Sequence, residues 1–227
     1  VLDDNFGAEE YAIGFRKEDQ ALRDEVQRIL CKMKADGTAG EIAVKWFGED
    51  TSIIPDSVPE IGERAFEYCA GLESVPINGY GETEIGDYAF SACDVLANVK
   101  LDGVRMVGTG AFAGCRALTS ATLGADLTYV GTYAFQNCTG LTEMALPDGV
   151  TYIGEYAFAY SGLTSIEIPD SVTRFGNDAF NSCTGLTSVK IGNGISYIGN
   201  SAFYFCTALT TVELGANVAE IGLNAFG

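Results

Sequence analysis

Ile61-Gly62-Glu63-Arg64-Ala65-Phe66 decides the architecture of this chain. The same hexapeptide, apolar-Gly-x-x-Ala-Phe, returns with its last residue at Phe90, Phe112, Phe135, Phe158, Phe180, Phe203 and Phe226. Successive Phe residues are 24, 22, 23, 23, 22, 23 and 23 positions apart. A pattern held in phase that long is a tandem array.

Working outward from the hexapeptide, Cys69, Cys93, Cys115, Cys138, Cys183 and Cys206 stand four residues past the Ala, with Ser161 in the one copy that is a residue short there. Leu72, Leu96, Leu118, Leu141, Leu163, Leu186 and Leu209 follow. After each Leu the apolar residues alternate, as in Leu186-Thr-Ser-Val189-Lys-Ile191, which puts Val189 and Ile191 on one face of a short strand and Lys190 on the other. Pro169-Asp170-Ser171 or Gly192-Asn193-Gly194 then turns the chain into the next hexapeptide. Each unit therefore reads as strand, turn and a compact helical or irregular segment. The fold expected is an α/β solenoid of eight units of about 23 residues with short parallel strands. Stacked at about 4.8 Å per rung, the array would be roughly 35 to 40 Å long, with Phe, Leu, Ala, Ile/Val and Cys ladders through its core. The hexapeptide Gly marks either an unusual φ or a close approach of a neighbouring backbone.

Composition narrows function. The 227 residues carry 13 Lys+Arg against 31 Asp+Glu, a net charge of -18, which repels phosphate backbones, so no nucleic-acid partner is expected. No apolar run approaches the length of a membrane helix, so no membrane insertion within this chain is expected either. The absence of His removes imidazole catalysis and His metal ligands. With no phosphate-binding Gly loop, HExxH or GxSxG motif, the chain reads as a non-enzyme with no cofactor and no catalytic or metal residues. It starts on Val1 with no signal peptide, as expected of a stretch inside a longer gene product or left after processing.

The unit LTSVxIPxSVTxIGxxAFxxC, well seen from Leu163 to Cys183, resembles the BspA-like class of leucine-rich repeats found in surface proteins of host-associated bacteria; the resemblance covers about residues 53–227. It implies a secreted or cell-surface, adhesin-like interaction module, extracellular in location, binding a protein or glycan of host matrix, cell surface or polymer. An accessory module of an amino-acid-binding ABC transporter component and a structural spacer are the alternatives. Commoner leucine-rich repeats carry Asn on the turn after the strand. Here that place holds Tyr80, Val104, Asp126, Gly149, Ser171, Gly194 and Asn217, so an Asn ladder is not expected.

Residues 1–52 lack the hexapeptide and hold 7 of the 13 basic residues and 12 of the 31 acidic ones. Tyr11 to Phe15 reads as a strand. Asp19 caps a helix with Leu22, Val26, Ile29, Leu30 and Met33 on one stripe, stopped by Asp36-Gly37, and a second short helix covers 40–47. The wording of residues 5–48 resembles the C-terminal end of periplasmic amino-acid-binding proteins of ABC transporters. The reading adopted is a strand-helix-helix lid on the first repeat.

The Cys ladder reads as buried free thiols, because side chains pointing in parallel into a core seldom reach disulfide geometry; Cys31 reads as ordinary packing. The acidic residues read as a solvated face rather than a calcium site, because Asp56, Asp148 and Asp170 do not recur in every unit. Tyrosines supply the partner-binding candidates. Tyr88, Tyr133 and Tyr156 share one variable place before Ala-Phe, and Tyr129, Tyr152 and Tyr197 share another two residues before the Gly. A second candidate surface is the outward strand positions Glu73 or Ser74, Asn98, Ser120, Glu143, Ser165, Lys190 and Thr211.

Overall fold

A computed structural model describes residues 60–227, so the strand-helix-helix segment expected at 1–52 lies outside the described residues. Twelve strands, β1 to β12, follow one another: Glu60–Ile61, Ser74–Ile85, Asn98–Val107, Ser120–Leu123, Tyr129–Val130, Tyr152–Ile153, Ser165–Ile168, Arg174–Phe175, Ser188–Ile191, Tyr197–Ile198, Thr211–Glu213 and Glu220–Ile221. Every pairing is parallel. The chain coils as a repeating path of strand, turn, short strand and hexapeptide, one turn stacked on the next. The start of β2 pairs with β3 and β3 with β4, while β7, β9 and β11 form a separate sheet; the short strands before each Gly form a second side.

Two expectations are corrected. Among the described residues there is no helix, so the fold is all-β rather than α/β. Eight hexapeptides bound about seven turns, not eight units, because the Leu-led strand segment follows only the first seven of them.

The hexapeptide is barred from helix by its backbone. Its fourth residue (Arg64, Tyr88, Tyr133, Tyr156, Asp178, Ser201 and Asn224, with Gly110 in the third copy) and the residue four further on (Tyr68, Ala92, Asn137, Tyr160, Ser182 and Phe205, with Gly114) all have positive φ. Each non-Gly residue there costs about 1–2 kcal/mol. The return is a hydrogen-bond ladder. The N–H groups of Phe135 and of the residues two before and two after it donate to Ala157, Glu155 and Ala159 of the next rung, at 2.7 to 2.9 Å. The N–H groups in between, Ala134, Gln136 and Cys138, donate to carbonyls three residues back. The three inter-rung bonds recur at all seven rung-to-rung interfaces, and the bonds three residues back accompany them in every copy except at Ala179, so nearly every buried amide of the segment is paired.

Side chains complete each rung. Phe90, Phe112, Phe135, Phe158 and Phe180 are wholly buried, and neighbouring rings stack with centroids 5.0 to 5.6 Å apart. The hexapeptide Gly is explained by close approach rather than by φ: a Cβ at Gly154 would sit 2.4 Å from the backbone nitrogen of Thr132.

Cys is where it is because its thiol donates to the Phe carbonyl of the previous rung. The Sγ atoms of Cys93, Cys115 and Cys138 lie 3.0, 3.1 and 3.2 Å from the carbonyl oxygens of Phe66, Phe90 and Phe112. Burial pushes the Cys93 and Cys138 thiols up to about 12, and Cys115 up as well. Cys93, Cys115, Cys138, Cys183 and Cys206 are free, as the spacing suggests, but Cys69 is disulfide-bonded, against the expectation of free thiols throughout.

The turn place after the strand carries no Asn ladder, yet two short side-chain ladders stand beside it. Asn193 N–H donates to Asp170 Oδ1 at 2.7 Å, and Ala216 N–H to Asn193 Oδ1 at 2.8 Å. In the hexapeptide, Asn200 N–H donates to Asn177 Oδ1 at 2.9 Å and Leu223 N–H to Asn200 Oδ1 at 2.8 Å.

Candidate functional site

The two tyrosine rows are interrupted, and the interruptions decide which residues meet. Tyr129 on β5 pairs in register with Tyr152 on β6, and the rings stack with centroids 4.5 Å apart and planes 7° apart. On the same two rungs Tyr133 and Tyr156 stack at 5.4 Å and 23°. Four of the six candidates thus form two ring pairs, spaced by the Gly131 and Gly154 approach between them. The other two are set apart. Arg174 occupies the row between Tyr152 and Tyr197, whose hydroxyl donates to Asn200 Oδ1 at 3.1 Å. Gly110 occupies the row between Tyr88 and Tyr133; the Tyr88 ring lies where a Gly110 Cβ would be, 2.5 Å from it, and Arg64 sits 5.3 Å from the ring centroid on the other side. Tyr88 is therefore a packing residue between Arg64 and Gly110.

One ring of each pair is held more firmly in its neutral form. Burial, then the neighbouring Tyr152, raises the pKa of Tyr129. Burial, then Asp178 beside it on the next rung, raises that of Tyr156. All four rings are half-buried, so each offers an edge and a hydroxyl rather than a whole face.

On the strand side the register corrects the second candidate surface. Ser188, not Lys190, lies beside Ser165 and Thr211. Lys190 falls between Glu167, with which it forms an ion pair, and Glu213. Residues 142–146 form no strand although Met144 and Leu146 keep the alternation, and a groove of about 870 Å³ runs from there across Glu167, Lys190 and Asp170. Asp170 is engaged by the turn of the next rung: the backbone N–H and side-chain amide of Asn193 hold its carboxyl below the usual carboxylate range. Among the described residues no three His, Cys, Asp or Glu side chains gather as a metal site, and no helix is long and apolar enough to cross a membrane.

Sequence reasoning passed over the outer corner residues Tyr160 and Phe205, which are exposed at positive φ. The available signal was the shortened copy around Ser161, which marks that corner as different from its neighbours.

Comparison with known proteins places this geometry. The BspA type leucine rich repeat region matches residues 50–127 and 105–227 in six copies. No curated protein matches the chain. Among solved structures, a leucine-rich repeat protein of T. pallidum is similar at 27% identity and a TM-score of 0.65, over 75% of this chain and 81% of that one. A leucine-rich repeat protein of Bacteroides ovatus is similar at 31% identity and a TM-score of 0.55, over 77% of this chain and 57% of that one. A leucine rich cell surface protein of Faecalibacterium prausnitzii is similar at 29% identity and a TM-score of 0.51, over 74% and 62%. The chain thus spans less than two thirds of the latter two proteins. The resemblance of residues 5–48 to amino-acid-binding proteins lies outside the family match and outside the described residues. With its hexapeptides, stacked Phe rungs and parallel strands all inside the matched region, the chain belongs to the BspA-type leucine-rich repeat family.

Proposed function

We propose that the chain is a secreted or cell-surface interaction module of a bacterium, adhesin-like in that it holds a host matrix protein or a neighbouring cell's surface protein against its outer wall. The observation that carries this reading is the double tyrosine pair, Tyr129 with Tyr152 and Tyr133 with Tyr156, four amphipathic rings brought to the outside of two adjacent rungs. Aromatic residues with few rotamers bind protein at low entropic cost, and a stacked array holds them rigid before a partner arrives. The surface location is supported by the F. prausnitzii relative, which is described as a cell surface protein. The family supplies interaction scaffolds, and nothing in the described site geometry suggests catalysis.

The test is binding of the purified chain to an array of host matrix proteins and free amino acids at low and physiological salt. A salt-tolerant protein hit that Tyr129→Ser with Tyr152→Ser weakens about tenfold or more supports the reading. A hit on free amino acids would favour the transporter accessory, and silence throughout would favour a spacer; either outcome overturns the adhesin-like reading.

A further inference from the structure

The corner after each hexapeptide is formed by one residue at positive φ: Tyr68, Ala92, Gly114, Asn137, Tyr160, Ser182 or Phe205. Gly meets that requirement freely and Asn at reduced cost, whereas a bulky aromatic is strained there. Tyr160 and Phe205 are also 47% and 53% exposed, so burial repays little of the strain. Tyr68 shares the place and is 68% exposed, and Phe205 packs edge-on against Tyr204 with ring centroids 4.3 Å apart; Tyr160 and Phe205 are the two of these aromatics that line one depression in common.

Between them lies a cleft of about 670 Å³. It opens where the fifth copy is short: Ser161-Gly162 stands opposite Cys183-Thr184-Gly185 of the next rung, and Ser161 is buried beneath, its Oγ 3.2 Å from Cys183 Sγ. Thr139, Thr184 and Asn137 line the rim. Among the described residues their side chains make no hydrogen bond, so their hydroxyls and amide face the cleft unspent. In a chain of net charge -18, no residue lining this cleft is charged.

We infer that this cleft binds a neutral glycan: a linear β-1,4-linked chain of pyranose rings lying along the solenoid axis over Tyr160, Ser182 and Phe205. The inference rests on the reading of the chain as a surface interaction module, but it uses other residues than the tyrosine pairs. Aromatic walls accept the C–H face of a pyranose, and a hydroxyl- and amide-rich rim suits its equatorial hydroxyls. Neighbouring rungs are 5.0 to 5.6 Å apart at the Phe rings, close to the advance of one ring along an extended β-1,4 chain. Alternate rings of such a chain present the same face, and Tyr160 and Phe205 stand two rungs apart with the small Ser182 between them. The lack of a cation in the cleft disfavours sulfated or carboxylated chains.

The experiment is calorimetric titration of the whole chain with cellohexaose and with chitohexaose, using maltohexaose, whose α-linkage coils the chain, as the pitch control. At least one β-linked hexamer should bind about tenfold or more tighter than maltohexaose, with little dependence on salt. Tyr160→Asn and Phe205→Asn should each weaken that binding about tenfold or more while leaving the melting temperature equal or higher, because Asn is at home at positive φ. Tyr129→Ser with Tyr152→Ser should leave it unchanged. Silence with both β-linked hexamers, equal affinity for maltohexaose, unaltered binding by the Asn variants, or a lowered melting temperature in both of them would overturn the inference. If the glycans are silent while matrix-protein binding still depends on Tyr129 and Tyr152, the glycan cleft is wrong and the interaction-module reading stands.

Discussion

The hexapeptide side of the coil and its strand sides are built from the same chain, turn for turn, yet only the first is continuous. Three inter-rung hydrogen bonds cross each of its seven interfaces without a gap. The strands divide into three sheets: β4 and β7 are not joined because residues 142–146 form no strand, and β8 and β10 are not paired. Strand pairing is therefore interrupted at single rungs, while the corner ladder is not. What holds register through the gaps is the segment whose backbone is most strained, with the Phe stack bound to it.

The comparison can be broken first at its bulkiest element. Phe135→Ala should cost about 3–5 kcal/mol, the usual loss for a buried Phe, read as a lower urea midpoint at unchanged slope. Met144→Ala, in the unpaired segment and only partly buried, should cost less than half as much. Equal losses would mean that the strand side carries as much of the fold as the corner.

Next is the close approach. Gly154→Ala places a Cβ 2.4 Å from Thr132 nitrogen, with only backbone to give way, and should cost at least the about 1–3 kcal/mol typical of overpacking. Gly185→Ala, whose Cβ would meet nothing nearer than 3.7 Å, should stay within about 0.5 kcal/mol of the parent.

Alkaline pH probes the buried thiols. Cys93 and Cys138 are pushed up to about 12 in the folded chain, against about 8.5 when unfolded. The folded state holds those protons more tightly, so their contribution to stability is complete below about pH 8.5 and falls as pH rises toward 12. Cys93→Ala with Cys138→Ala should flatten that decline in urea midpoints; an unchanged slope would mean that the thiols are not the groups responsible.

The smallest expected effect has the opposite sign. Ala92 stands at φ 54, so Ala92→Gly should stabilise by about 0.5 kcal/mol, relief of strain exceeding the entropy gained by the unfolded chain. In a strand or helix the same change would destabilise.

Much of this was legible in the sequence. Phase, rung composition and the parallel strands follow from the hexapeptide and the Leu-led alternation, because a buried ladder permits one residue size at each place. The corner conformation was hidden, since positive φ is shared by Arg64, Tyr88, Asp178 and Ser201, which have no side-chain feature in common. The gap at 142–146 was hidden too, because Met144 and Leu146 preserve the apolar pattern while the hydrogen bonds are lost. The tyrosine rows were visible, and so were Gly110 and Arg174 that cut them; what the sequence did not show is that Tyr88 fills the space that Gly110 leaves.

The most direct test is native-state amide hydrogen exchange by NMR, residue by residue across the fourth and fifth rungs. The amides of Tyr133, Phe135 and Asn137, which donate across rungs at 2.7 to 2.9 Å, should belong to the slowest-exchanging class of the molecule, opening only with global unfolding. Those of residues 143–146, which donate to no backbone carbonyl among the described residues, should exchange by local opening and be lost early. Exchange of Tyr133, Phe135 and Asn137 as fast as that of 143–146 would contradict the account, because the corner ladder would then not be what holds the solenoid together.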